Sequence, residues 1–126
     1  MPSSRITSNF NFENELDFIN DFHNKMMQVL KIPVYDRLVV LNQKIEGFYQ
    51  PTNTFGKYIL YEIDMFSGRS IETKKKLYKE LVSLSNSVGV ESLNVRIILK
   101  EIEKENWGIR GGQPASEIAL SFKTDI

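Results

Sequence analysis

The sequence predicts an α+β fold of two layers, built from two β-α-β units in tandem, and three observations lead there. Apolar runs of strand length, at residues 38–41, 58–66 and 94–99, alternate with two stretches whose apolar residues recur at helical spacing. The order strand, helix, strand occurs twice. Residues 32–41 also lie over residues 90–99 at one constant offset without a gap. Each unit then supplies a parallel strand pair with a crossover helix. Together the units make a four-stranded mixed sheet with two helices on one face. The other face is left bare. Strands apolar on both sides are expected to bury it against further copies of the chain.

The first unit spans residues 1–45. Residues 3–7 read as a short strand of mixed polarity, and the polar stretch 9–14 offers helix caps. Leu16, Ile19, Phe22 or His23, Met26 and Leu30 share one helical face, which Pro33 stops. Leu38-Val39-Val40-Leu41 is β-branched and short, hence a strand. Residues 46–57 contain Gly47, Pro51, Asn53 and Gly56 and read as a connection.

The second unit spans residues 58–102. It opens with the strand 58–66, turns at Ser67-Gly68-Arg69 and starts a helix capped by Ser70. Leu77, Leu81, Leu84 and Val88 form the apolar face, and Gly89 ends it. Residues 94–99 are the fourth strand, and residues 100–105 are a charged stretch. Residues 103–126 are a tail or hairpin, with a loop at 106–112 and a last short strand at 118–122. The whole is one domain.

Composition excludes several classes of function. Sixteen acidic and sixteen basic residues cancel, so no general attraction to nucleic acid or an anionic membrane is expected. The absence of cysteine removes disulfides, thiolate nucleophiles and cysteine metal sites. The lone histidine, His23, cannot build a histidine metal centre and reads as a packing residue on its helix. No stretch has the length of a membrane span, and the start lacks a cationic, apolar leader, so a cytoplasmic protein is the expectation.

The chemical signal is Pro2. Removal of Met1 leaves a secondary amine at the amino terminus, a compact base without a flexible stem. An α-amino group has an ordinary pKa of about 7.7–8.0, so burial and neighbouring charge tune it through neutrality. Such a nitrogen can take a proton from one atom of an enol and return it to another.

Gly68-Arg69-Ser70, the lysine-rich helix after it and Asn94-Val95-Arg96-Ile97-Ile98 resemble the tautomerase superfamily. Trp107-Gly108-Ile109-Arg110-Gly111-Gly112-Gln113-Pro114-Ala115-Ser116 is similar to the glycine-rich tail of its 4-oxalocrotonate tautomerase-like members, with one residue inserted. Ile32-Pro33-Val34-Tyr35-Asp36-Arg37-Leu38 and Glu105-Asn106-Trp107-Gly108 resemble the longer, malonate semialdehyde decarboxylase-like members. The resemblance covers nearly the whole chain. It implies a homotrimer whose sheets line a central barrel, and a reaction that needs neither metal nor organic cofactor.

For single residues, the resemblance implies that Pro2 is the catalytic base or acid and that Arg69 binds a substrate carboxylate. Asp36 matches the aspartate that assists decarboxylation and hydration. Trp107 takes the aromatic place in the site wall, and Arg96 matches a substrate-contacting arginine of the short members. The decarboxylases carry two arginines in the turn, where this chain has Ser67 and Arg69. That departure favours tautomerisation, with Arg110 as a replacement charge. Each residue also has a plainer structural role: Arg69 a charge beside a helix start, Asp36 a turn residue, Trp107 an anchor for the tail, Arg96 a subunit salt bridge. Lys74-Lys75-Lys76 reads as a solvated helix face, and Gly111 and Gly112 as anion-binding amides or as flexible loop. The expected function is a cofactor-independent, Pro2-dependent tautomerase acting on a small enolisable 2-oxo acid or unsaturated carboxylate. The alternatives are a decarboxylase or hydratase of a 3-oxo acid at the same site, and a non-catalytic oligomeric binding protein on the same scaffold.

Overall fold

In the computed structural model, which describes residues 2–120 and 123–126, the chain runs β1 (Ser3–Ser8), α1 (Glu15–Leu30), β2 (Leu38–Asn42), β3 (Ile59–Phe66), α2 (Ile71–Ser87) and β4 (Val95–Ile102). The sheet order is β2-β1-β3-β4. Each unit contributes a parallel pair, β1 with β2 and β3 with β4. The units join through an antiparallel pairing of β1 with β3, in which Ser3 stands opposite Asp64 and Ser8 opposite Ile59.

Helix boundaries follow from local chemistry. Asn14 caps α1 by accepting the Asp17 N–H at 3.1 Å, and the acidic Glu15 and Asp17 complement the helix dipole. The helix stops at Lys31, which adopts the left-handed conformation (φ 57°), ahead of Pro33 because a residue preceding proline is disfavoured in helix. Ser70 caps α2 through the Thr73 N–H at 3.2 Å. At its end Gly89 (φ 86°) allows the Val90 N–H to reach Ser85 O and the Gly89 N–H to reach Asn86 O, both at 3.0 Å. Those two bonds satisfy helix carbonyls that would otherwise be orphaned.

Three expectations are corrected. β4 does not stop at residue 99 but runs to Ile102, because β3 is long enough to pair with Lys100, Glu101 and Ile102. The loop at 106–112 belongs to a small hairpin in which β5 (Gly108–Ile109) pairs with β6 (Gln113–Pro114). Residues 118–120 form no strand: the chain leaves β6 through a tight turn at Ala115–Glu117, closed by the Ile118 N–H on Ala115 O. The rest of that expected strand, residues 121 and 122, lies outside the described residues.

The core lies between the sheet and both helices. Ile6, Ile59, Tyr61, Ile63 and Met65 point inward at strand spacing and meet Phe22, Met26 and Leu30 of α1 and Leu77 and Leu81 of α2. The opposite face is of mixed polarity instead of apolar throughout. Arg5 reaches both carboxylate oxygens of Asp64 at 3.2 Å, with Leu38, Val40 and Ile98 exposed around that pair. No described helix is long and apolar enough to cross a membrane.

One polar link sits inside the core. The Tyr61 hydroxyl and Ser85 Oγ are 2.8 Å apart, and Ser85 Oγ donates to Leu81 O at 2.8 Å. Burial pushes the Tyr61 phenol well above its ordinary value, so it stays neutral and must be hydrogen-bonded. Ser85→Ala leaves that phenol without its partner, and urea denaturation is expected to show a loss of about 1–3 kcal/mol. Tyr61→Phe leaves Ser85 bonded to Leu81 O and should cost less than Ser85→Ala.

Candidate active site

The antiparallel β1–β3 pairing brings the start of the first unit to the end of β3. Pro2, buried and one residue before β1, therefore stands at the sheet end where β3 runs into the turn 67–69. On its other side the parallel pairing sets Ser3 opposite Leu38, so the turn before β2, with Asp36, reaches the same place. Asp36 and Arg69 are both buried there, and each contributes electrostatically to the other. Thus Pro2, Asp36 and Arg69 converge although 67 positions separate the first from the last (69 − 2).

Arg69 is the decisive residue. It is 5 % exposed, and among the described residues its two terminal nitrogens make long bonds, Nη1 to Phe66 O at 3.3 Å and Nη2 to Leu30 O at 3.4 Å. Its Nε has no acceptor among the described residues. Burial lowers its pKa, while the Glu101 and Asp36 carboxylates oppose that shift. A guanidinium keeps its charge under such shifts. The result is a desolvated cation with unused donor capacity. A bidentate carboxylate is the natural complement of that fork.

The turn that carries Arg69 is pinned from β4. Glu101 accepts the Gly68 N–H at 3.2 Å and also pairs with Lys74. The Lys74 hydrogen bond holds the Glu101 carboxyl below its usual range. Glu103 accepts the Ser67 hydroxyl at 2.7 Å, so Ser67 holds the turn and does not point a free group at Arg69. Gly68 has φ 122°, and a Cβ there would come within 3.0 Å of Thr124 O. Past it, the Ser70 and Thr73 hydroxyls both donate to Ile126 O, so the segment 123–126 lies across the turn.

The Asp36 turn is pinned from α1. His23 Nε2–H donates to Val34 O at 2.7 Å, and the Asp36 N–H donates to Pro33 O at 3.0 Å. Burial raises the Asp36 carboxyl above its ordinary value, against the opposing pull of positive charge that includes His23 and Arg69.

The remaining predicted residues are placed differently. Trp107 packs edge-on against Phe66, ring centres 5.1 Å apart, with Nε1–H on Ile102 O at 3.1 Å. It covers the end of β3. Arg110 is exposed in the β5–β6 turn with φ 50°, and the structure shows no contact between it and Arg69. Arg96 stands opposite Leu60 near the start of β3, the far end of the sheet from Pro2. At about 3.3 Å per strand residue, the four residues from Leu60 to Asp64 amount to roughly 13 Å. Within one chain Arg96 and Pro2 do not meet. Glu101, Glu103 and His23 were not legible as supports. The first two sit in a charged run with no apolar period, and only the β3–β4 register turns them toward the Arg69 turn. Among the described residues, no group of three or more His, Asp or Glu side chains is arranged to hold a metal ion.

Comparison with known proteins decides the family. The family model described as tautomerase enzyme (Tautomerase_2) matches residues 38–110, more than half of the chain. The chain belongs to the tautomerase family. It is 43 % identical to the 2-hydroxymuconate tautomerase of Comamonas testosteroni over 51 residues, 40 % of this chain and 81 % of that relative. A fused 4-OT solved as a symmetric trimer superposes with a TM-score of 0.81 at 14 % identity, covering 91 % of this chain and 98 % of that one. A malonate semialdehyde decarboxylase inhibited by 3-bromopropiolate gives a TM-score of 0.74 at 19 % identity, covering 94 % and 98 %. These structural likenesses are likenesses of fold, and the tautomerase fold is therefore the fold of this chain.

Because the native state binds the Asp36 proton more tightly than the unfolded chain does, Asp36 lowers stability as pH rises. The loss begins near the ordinary carboxylate value of about 3.9 and is complete above the raised native value. In urea denaturation from pH 3 upward, Asp36→Asn is expected to gain on the wild type as pH rises through this window. Parallel curves for the two proteins would show that the carboxyl is not perturbed.

Proposed function

We propose that this tautomerase-family enzyme acts through Pro2 on a small enolisable 2-oxo acid or unsaturated carboxylate. The observation that supports the reading best is the buried Arg69 guanidinium, with long bonds from its terminal nitrogens and no acceptor on Nε. A substrate carboxylate supplies the missing acceptors and neutralises the cation in a site from which water is largely excluded. The same fork, close to the adjacent oxygen, stabilises negative charge that develops there during enolisation.

The proton path follows from the nitrogen at Pro2. With Met1 removed, Pro2 carries a basic lone pair; with Met1 attached, the same nitrogen is an amide and is not basic. The lone pair takes the enol O–H proton, the oxygen electrons form the carbonyl, and the C=C pair takes the proton back from Pro2 at carbon. Atoms and charge balance, and the amine is regenerated. Burial and Arg69 both disfavour the cationic amine, while Asp36 favours it. The first pair suits a base near neutrality. Asp36 orients the substrate or a water, and Trp107 keeps the wall dry.

A second reading rests on Asp36 itself. A carboxylate beside the amine holds Pro2 cationic and activates water, which is the arrangement for decarboxylation or hydration of a 3-oxo acid. The two readings differ in sign. With phenylenolpyruvate as substrate, kcat/KM is expected to rise with pH through the amine pKa when Pro2 is the base. With malonate semialdehyde, activity should fall with pH when Pro2 is the acid. Pro2→Ala is expected to cost roughly 10²–10⁴-fold in kcat for whichever substrate is turned over. Intact mass must first show that Met1 is absent, and unchanged turnover in Pro2→Ala would rule out both forms of the mechanism.

We further infer that the working particle is a homotrimer. Supporting this are the uncovered sheet face, with its central Arg5–Asp64 pair and exposed Leu38, Val40 and Ile98, and the similarity to a fused 4-OT that is a symmetric trimer. Light scattering on the purified protein should return three times the 14.6 kDa chain mass. A monomer at micromolar concentration would contradict it.

A further inference from the structure

The three consecutive lysines near the start of α2 are not equivalent. Lys75 and Lys76 are exposed; Lys75 stands 3.9 Å from Glu72, and Lys76 acts at a distance on Glu80. Lys74 is half-buried and reaches the sheet, where its Nζ donates to Oε1 of Glu101 on β4. The other oxygen of that carboxylate, Oε2, accepts the Gly68 N–H at 3.2 Å. Both oxygens of Glu101 are thus engaged beside the residue that precedes Arg69.

Arg69 is the second cation that Glu101 feels. Glu101 is the leading carboxylate in opposing the loss of charge that burial imposes on Arg69. Among the described residues, however, no hydrogen bond joins the two side chains. Arg69 Nε has no acceptor there, and its terminal nitrogens make long bonds to backbone oxygens. A desolvated guanidinium with spare donors and a carboxylate with one oxygen released attract each other strongly. The competing lysine keeps them apart.

We propose that Lys74 is a positioning residue for the carboxylate site: it tethers Glu101, and without its charge the Glu101 side chain turns onto Arg69 and takes the place of the substrate carboxylate. Glu101 already touches Gly68, so a side-chain rotation brings Oε1 to the turn while Oε2 stays close to the Gly68 N–H. The resulting inhibition is intramolecular and competitive with substrate. With Lys74 in place, the same carboxylate supports the cation through space and leaves its donors to a ligand. That a substrate carboxylate sits on Arg69 rests on the function proposed above. The exchange of Glu101 from Lys74 to Arg69 does not depend on what Pro2 does.

Two measurements on the full chain test this. Lys74→Met is expected to raise KM for phenylenolpyruvate by roughly tenfold or more, the weight of a charged hydrogen bond, with kcat within about twofold because saturating substrate displaces Glu101. Glu101→Gln on that background should return most of the lost affinity, since the amide oxygen still accepts the Gly68 N–H but does not compete as an anion. Lys74→Arg keeps the tether and should match the wild type. A lysine that merely steadied the turn would give a raised KM that Glu101→Gln leaves in place or worsens. The second measurement needs no turnover: the Arg69 Nε–H proton resonance, assigned by its absence in Arg69→Lys, should move downfield in Lys74→Met and return in Lys74→Met/Glu101→Gln. An unmoved resonance overturns the proposal, as does an unchanged KM or one that Glu101→Gln does not restore. If the wild type does not turn over phenylenolpyruvate, the functional reading fails for that substrate, and the resonance alone decides whether Lys74 restrains Glu101.

Discussion

The antiparallel register of β1 on β3 is the constraint on which the rest depends. It joins two β-α-β units that, among the described residues, have no other strand pairing between them. A slip of one residue would turn Ile6 or the Tyr61–Ile63 row out of the core and bring Arg5 or Glu62 into it. The same slip would carry Pro2 away from the turn that holds Arg69. Core burial and the placing of Pro2 beside the Asp36 and Arg69 turns are therefore satisfied by a single register.

Holding Arg69 in place is the costly part. A buried guanidinium with long bonds and a free Nε pays a desolvation penalty that its own backbone partners only partly offset. The chain answers with charge at a slightly greater distance. Glu101 and Asp36 stabilise the cation through space, and Glu101 is itself committed to Gly68 and Lys74. The hydrogen bonds of the fork among the described residues are the long ones to Phe66 O and Leu30 O. Strong pairing would have stabilised the fold and closed the site.

How much of this was legible in the sequence follows from the range of each interaction. The strands, helices and caps rest on periods of two and 3.6 and on residues such as Asn14, Ser70 and Gly89, all of them local. The tandem order came from the repeat. Pro2 and Arg69 could be singled out because one has unusual chemistry and the other sits in a recognisable turn. The extent of β4, the bracing by Glu101 and Glu103 and the position of Arg96 depend on which strands pair and in what register. Composition and periodicity do not carry that information. The bare face misled for a related reason: residues 58–66 scan as one apolar run, yet Glu62 and Asp64 fall on alternate positions and face away from the core. Residues 118–120 of the last expected strand pair with no strand among the described residues.

A duplicated fold begins with two equivalent ends, and here their chemistry has separated. At one end the strand starts with Pro2, the turn provides buried Arg69 and the repeat position of Arg96 is the apolar Leu38. At the other the strand starts with Tyr58, Arg96 is exposed, and Glu13 precedes the helix cap Asn14 where Arg69 precedes the helix cap Ser70. Asn94, the repeat partner of Asp36, is a neutral amide whose nitrogen braces Phe55 O and Lys57 O at 2.6 and 3.0 Å. A carboxylate in that place could not donate those bonds, and an amide in the place of Asp36 could not bias the charge of an amine. The two arginines differ in the same way: Arg69 is buried and Arg96 is exposed. A desolvated cation exerts a strong field on developing charge, whereas a solvated one recognises a charge already formed.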